Sequence, residues 1–292
     1  MLTIDPLEYP NPKVHKILLG GVAPRPIAFA STIDKNGQVN LSPFSFYNAF
    51  GVNPTTLIFS PSRRGRDNTT KHTLENILEV PEVVISAVNY DMVQQMSLSS
   101  TEYPKGVNEF VKSGLTPIDS LRITPPRVKE SPLQFECIVR DVIETGGKGG
   151  SANLVVCEIV MIHIHDGLLD ADGNINTEKI DLVGRLGGND YVRTTGDAKF
   201  RVPKPLTEIG IGVDRLPGHI RLSKYLSGND LGILGNLKEI PSKKEIKSIS
   251  KLFPEVDLNA LDETDIHAKA KQLIAENKPL EALKILMFKM IQ

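Results

Sequence analysis

The sequence predicts a mainly β fold with inserted helices, followed by a small helical region at its C-terminal end. Three observations predict it. From Ile27 to about Val202, short β-branched and aromatic runs are separated by turn residues. Helices interrupt these runs without regular strand–helix alternation, which favours a barrel over a doubly wound sheet. Beyond Pro203-Lys204-Pro205 the apolar spacing turns helical, so a boundary is placed near residue 205, between regions 1–205 and 206–292.

The elements follow in order. Ile27 to Ile33 is an apolar run ending at Asp34-Lys35-Asn36-Gly37, a turn with glycine where positive φ is cheap. Thr56 to Phe59 and Val83 to Val88 are strand-like runs bounded by proline, asparagine or serine. Between them, Lys71 to Glu79 places Leu74, Ile77 and Leu78 on one helical face, and Pro81 stops it. Tyr90 to Ser100 reads as a second helix carrying Met92, Val93, Met96 and Leu98. Gln134 to Ile143 and Leu154 to His165 flank Gly146 to Ser151, a hairpin with a flexible tip. In the C-terminal region Ser242-Lys243-Lys244-Glu245 is a capping box, in which hydroxyl and carboxylate each satisfy an amide of the first turn. Ile246, Ile249, Leu252 and Phe253 follow it at helical spacing. Helices are expected over Thr264 to Glu276 and Pro279 to Ile291. Gly228 to Gly235 reads as a tight glycine-rich loop between helices. Ala268 to Met287 resembles one helical-repeat hairpin, a unit that cannot bury its own face and is expected to lean on the barrel or a second chain.

Composition excludes some partners. With 292 residues, 40% hydrophobic and 24% charged, the chain has ordinary globular make-up and can bury a sizeable core. Its net charge of −1 offers no field for nucleic acid or an anionic membrane, so any anion site must be a local cluster. No basic stretch followed by an apolar run opens the sequence, where Pro6, Pro10 and Pro12 intervene, and no run nears eighteen apolar residues. Two cysteines, Cys137 and Cys157, each in an apolar run, suit a reducing compartment. A soluble cytoplasmic protein is expected.

One such cluster exists. Arg63, Arg64, Arg66 and Lys71 stand within nine residues beside a single acid, Asp67, with Thr69, Thr70 and Thr73 adding hydroxyls. The segment runs from a strand into a helix start, where free amides and the macrodipole favour an anion. Charge-assisted hydrogen bonds from the cations would complete a phosphate site; the alternative is a solvated basic loop whose threonine caps the helix. A second segment, Asn40 to Asn48, mixes aromatics with small hydroxyls and can border a flat heterocycle. Otherwise it is an edge strand with core aromatics.

These segments carry a resemblance. The order P-R-P-I-A-F-A-S-T, D-K-N-G-Q-V-N-L-S-P-F-S-F-Y-N, N-P-T-T-L-I-F-S and K-H-T-L-E-N-I is similar to the flavin-reductase-like, or flavoredoxin-like, family. Y-P-K-G-V-N-E-F-V-K-S-G-L-T, S-P-L-Q-F-E-C and G-R-L-G-G-N-D-Y continue it, so the resemblance spans roughly residues 15 to 203. It implies an FMN-binding split β-barrel and a homodimer with FMN near the subunit interface. It implies electron transfer from NADH or NADPH to free flavin or another small acceptor; the alternative is an FMN electron carrier without its own nicotinamide site. By matching motif, Ser31 and Thr32 lie beside the flavin, and Ser42, Pro43, Phe44, Ser45 and Asn48 surround its ring and ribityl chain. Lys71 and Thr73 contact the phosphate, with Arg66 as an addition. Lys71-His72-Thr73 departs from the family's usual K-D-T, which puts a carboxylate role at that position in doubt. The chemistry would belong to the cofactor, and no side-chain nucleophile is required.

Other signals lead elsewhere. His163 and His165 share a strand face, yet no third ligand stands at metal spacing, so they read as barrel-lining pocket candidates rather than a metal site. Gly147-Lys148-Gly149-Gly150 lacks the glycine and hydroxyl of a Walker loop. Arg185 and Tyr191, in the last family motif, are pocket candidates; the alternative is a packed turn in which Arg185 pairs with a carboxylate.

Overall fold

A computed structural model describes residues 1–203 and 209–291. The chain divides into two compact units, Met1–Phe200 and Arg201–Gln292. The boundary expected near residue 205 falls outside the described residues.

The first unit opens with α1 (Asn11–Gly21), where Pro12 sits in a first turn whose amides lack intrahelical partners. Four strands follow: β1 (Ala28–Ile33), β2 (Val39–Phe44), β3 (Tyr47–Val52) and β4 (Thr55–Phe59). Next come α2 (His72–Glu79), β5 (Glu82–Ser86), α3 (Val93–Leu98) and α4 (Glu109–Ser113). β6 (Pro117–Ile118) and β7 (Arg127–Val128) form a small ribbon, before the long strands β8 (Leu133–Glu144) and β9 (Asn153–Ile164). The unit ends with α5 (Thr177–Ile180), β10 (Val183–Arg185) and β11 (Tyr191–Arg193).

Seven strands make one antiparallel sheet in the order β2-β1-β5-β8-β9-β4-β3. Its two edges, β2 and β3, are consecutive in the chain, separated only by Ser45 and Phe46. Three Cα steps span at most about 11 Å, so the sheet must curl until its edges nearly meet. No ladder joins them. The result is a barrel split between β2 and β3.

β1 is buried along its whole length because both faces are covered. Ala28 and Ala30 point into a cluster with Phe44, Leu57, Phe59, Ile77, Cys137 and Cys157. Phe29, on the alternate face, packs with Leu41, Met92, Met96 and Phe110, which places α3 and α4 outside the sheet. Each such large side chain contributes roughly 1.5–3 kcal/mol by leaving water. Both thiols are buried and unpaired. Burial pushes Cys157 up to about 12 and Cys137 well above the ordinary thiol range.

Two local expectations change. Tyr90 to Ser100 is not one helix but a 3₁₀ turn, Tyr90–Met92, followed by α3, with Met92 and Met96 buried and Leu98 exposed. The hairpin tip is not free either. Ser151 O accepts from Arg63 N at 2.9 Å, Gly150 N donates to Arg63 O at 3.1 Å, and Asn68 Nδ2 donates to Gly147 O at 2.9 Å. A Cβ on Gly149 would lie 2.9 Å from the Arg64 carbonyl. Gly149 is the glycine that close approach to the basic loop requires.

The second unit contains α6 (Gly218–Arg221), α7 (Gly228–Gly235), α8 (Lys243–Lys247), α9 (Glu263–Ala275) and α10 (Pro279–Met287). Ile211, Ile220, Leu234, Ile246, Ile266, Leu283 and Leu286 belong to its own core. The faces expected to seek the barrel or a second chain are therefore covered within the unit. The capping box at Ser242 and Glu245 is present. Gly228 to Gly235 forms a helix rather than a loop. Ser227 accepts from the Asp230 amide, Asp230 reaches back to the Ser227 amide, and Leu234 is buried, which together outweigh the helix cost of its glycines.

Candidate functional site

The split in the barrel is a cleft of about 400 Å³. The end of β2 and the β2–β3 link supply Pro43, Phe44, Ser45 and Phe46, and the loop after β4 supplies Ser60, Ser62, Arg63, Arg64, Arg66 and Lys71. His15 and Leu19 of α1 and the carboxylate of Glu102 also line it. The aromatic segment and the basic loop, read separately in the sequence, thus face one space. They meet because Ser60 N donates to Phe46 O at 2.9 Å, anchoring the start of the loop to the link.

The four cations are not equivalent. Arg66 is 69% exposed and held by Asp67 and by Glu102 at 2.9 Å. Hydrogen bonds from the Thr69 hydroxyl and amide hold the Asp67 carboxyl down to about 2, so it stays anionic beside Arg66. Arg64 bonds the Thr70 carbonyl, Thr69 and Glu102. Lys71 differs: its ammonium lies 5.2 Å over the Phe44 ring and makes no hydrogen bond or ion pair with the described residues. Burial, then the Arg64 charge, lowers its pKa against the opposing pull of Glu102. Arg63 donates to the Asn68 carbonyl at 3.3 Å, but its Nε is buried and has no partner among the described residues. A buried donor left open costs stability unless an acceptor arrives. Arg63 and Lys71 are the cations that an anion in this cleft would satisfy. The donor set fits a phosphate, and Phe44 beside it fits the edge of a flat ring.

Several expected residues stand elsewhere. Thr32 is fully buried and accepts from Asn76 Nδ2 at 3.2 Å, while Thr73 accepts from Asn40 Nδ2 at 2.8 Å. This pair of amide–hydroxyl bonds locks α2 onto β1 and β2. Ser31 faces the α3–α4 side of β1, fully buried, its hydroxyl without a hydrogen-bond partner among the described residues. Ser42 is half-buried on β2, opposite Ala30, and does not line the cleft. Asn48 is exposed on β3, its side chain accepting from the Ala49 amide.

The histidines do not meet in a pocket. His163 Nε2 lies 2.6 Å from Glu136 Oε1, and His165 is exposed against the Asp166 carbonyl. Glu136 also accepts from the amides of Leu121 and Arg122 at 2.8 and 2.7 Å, pinning the loop between β6 and β7. Burial alone would raise its pKa, but the Leu121 amide, the His163 ring and the Arg122 amide outweigh that and hold it below the usual range. A depressed carboxyl contributes stability above its unfolded pKa and loses it as pH falls through the folded value. Glu136→Gln is therefore expected to flatten the fall in melting temperature between about pH 6 and pH 3, with wild type as the reference.

Arg185 and Tyr191 do come together, in a second cleft of about 340 Å³ that shares no lining residue with the first. The Arg185 guanidinium lies 4.6 Å over the Tyr191 ring and donates to the Gly188 carbonyl at 2.8 Å. It makes no ion pair with a described carboxylate. Arg193 stacks similarly on Tyr90 at 4.0 Å and is bonded to Asp181.

The profile of the flavin reductase like domain matches residues 20–179. The chain belongs to the flavin-reductase-like family. An uncharacterized protein of Aquifex aeolicus is 39% identical over 189 residues, covering 65% of this chain and 94% of that relative. Nitrilotriacetate monooxygenase component B from Bacillus cereus superposes with a TM-score of 0.65 at 29% identity, over 69% of this chain and 98% of that one. A candidate flavin reductase with a split barrel domain from Shewanella frigidimarina gives 0.58 at 27%, over 68% and 95%. As a flavin-reductase-like protein the chain is a flavoprotein of the oxidoreductase class, built on a split barrel. Roughly a third of it lies outside the match to each of these three relatives. Among the described residues no helix is long and apolar enough to cross a membrane, and no three His, Cys, Asp or Glu side chains gather as metal ligands.

Proposed function

We propose that the split-barrel cleft holds FMN, and that the protein passes electrons from NADH or NADPH through it to free flavin or another small acceptor. The observation that carries this reading is the pairing, within one cleft of a flavin-reductase-like barrel, of two cations unclaimed by acids, Arg63 and Lys71, with Phe44. Lys71 and Arg63 would offset the phosphate charge, and Pro43, Phe44 and Ser45 would border the ring. When bound, the flavin supplies the hydride acceptance and onward electron transfer, while the chain binds, orients and shields it.

A spectrum of the purified protein, before and after anaerobic NADH and NADPH, tests the reading. The visible band of oxidised flavin is expected, bleached by at least one nicotinamide. A colourless protein that takes up no added FMN would sink it. Bound FMN untouched by either nicotinamide would instead mark an electron carrier.

The homodimer rests on a separate observation. Phe50 and Val52 on β3 are 64% and 90% exposed, and Val160, Ile162 and Ile164 on β9 are exposed as well. Exposed apolar side chains thus stand at the turn end of β3 and along the C-terminal end of β9, where a second copy would cover them. Sedimentation should show a dimer, and Phe50→Glu should shift it to monomer.

A further inference from the structure

Arg25, in the Pro24-Arg25-Pro26 segment before β1, is 4% exposed, yet no described carboxylate pairs with it. Burying a guanidinium without a counter-ion is costly unless its donors are met. Here they are met by parts of three separated segments. Nη1 donates to the carbonyls of Leu19 and of Val22, the latter at 2.7 Å, at the end of α1. Nη2 donates to the Leu186 carbonyl at 2.8 Å, just past β10. Nε donates to Ser45 Oγ at 3.3 Å, in the β2–β3 link. The backbone of Arg25 is bridged to Arg185 in both directions, at 2.9 and 2.8 Å.

Two of those three segments are walls of the cleft: Ser45 on the link, and α1 with His15 and Leu19. α1 has no buried residue of its own. Its other contacts with the barrel include an edge-on His15–Phe46 contact at 6.3 Å and close packing of Gly20 on Gly187. The cation also sits where a helix C-terminus favours one. Because Ser45 Oγ accepts from Arg25, its own proton is free to be donated, and the cleft is the space it lines.

We propose that Arg25 is a positioning residue of the flavin cleft, its single buried guanidinium holding the α1 wall and Ser45 in fixed relation to the turn after β10. The proposal rests on the flavin reading of that cleft. Its reach depends on the fork of an arginine: a lysine ammonium directs its donors from one point and cannot span Ser45 and the Leu186 carbonyl together.

The test uses the full chain as Arg25→Met, Arg25→Lys and Ser45→Ala, with circular dichroism and melting to confirm folding. Two readouts are needed: the rate of tryptic cleavage after Lys13 and Lys16 of α1 in the apoprotein, and the dissociation constants for FMN and riboflavin. Arg25→Met should be cut roughly tenfold faster and should bind both flavins about tenfold more weakly, since several hydrogen bonds to the walls are lost. Ser45→Ala should weaken flavin while leaving the cleavage rate at the wild-type value. A folded Arg25→Met with either readout unchanged overturns the proposal, as does a loss confined to FMN, which would assign Arg25 to the phosphate. If Arg25→Met does not fold, Arg25→Lys decides: intermediate values on both readouts support positioning, and wild-type values overturn it. If wild type binds no flavin, the functional reading fails separately, and cleavage of the apoprotein still reports whether Arg25 holds α1.

Discussion

Lys71→Ala is expected to weaken FMN binding ten- to a hundredfold and to leave riboflavin, which lacks the phosphate, nearly untouched. A charge-assisted hydrogen bond is worth about 1.5–3 kcal/mol, which sets that range. The ammonium is half-buried over Phe44 and forms no ion pair with a described carboxylate, although Glu102 lines the same cleft and already engages Arg64 and Arg66. If it were only a solvated loop residue, its removal would change affinity by less than about twofold. Titrating both flavins into wild-type and mutant apoprotein separates the two cases; equal weakening of both flavins would move Lys71 to the ring or to folding. A pH arm adds a sign. Because burial and Arg64 lower the lysine's pKa, the charged form that a phosphate needs is lost at lower pH than for a free lysine. FMN affinity should therefore fall as pH rises into the alkaline range, and the mutant should lack that fall.

The largest expected effect on stability lies in the other unit. Leu283 is fully buried in α10, within a core built entirely from the second unit. Leu283→Ala should cost about 2–5 kcal/mol, the transfer of the side chain plus the cavity it leaves. FMN affinity should stay within about twofold, since every residue assigned to the cleft precedes the boundary. Calorimetry paired with flavin titration checks both halves. Loss of flavin from a protein whose barrel stays folded would show that the second unit helps to build the site.

How much of this was legible in the sequence depended on range. Strand runs, the helix from His72 and the basic loop are local patterns, and each was visible at its place. A barrel is expected from the missing strand–helix alternation and from the family motifs, but its strand order is not legible, because that depends on which distant strands pair. Thr32 and Thr73 carry the right chemistry for a ligand, but the bonds their hydroxyls accept from Asn76 and Asn40, across 44 and 33 residues of chain, are not readable from the local motif. Among the cations, the family motif points to Arg66, whereas the open donor of Arg63 Nε depends on tertiary surroundings that the sequence does not show. The neighbouring Asp67 is a local signal that Arg66 is paired, as it is in the structure. The helix at Gly228 was missed although Ser227 and Asp230 stand at capping-box spacing, because its glycines suggested a loop. Arg25 left no signal beyond its place in a motif, since its partners are mostly main-chain carbonyls.

The hairpin between β8 and β9 bears on how the protein could be altered. Its run of glycines, lysine and serine looks like the natural place to splice a tag or accept an insertion. Yet Gly149 rests against the backbone of Arg64 and Gly65, and Gly150 and Ser151 are bonded to Arg63. Lengthening that tip would withdraw the template on which the basic loop is laid, far along the chain from any residue that a flavin would touch. The loop that appears most dispensable is a poor graft point, and variation there should be confined to residues that keep the same backbone path.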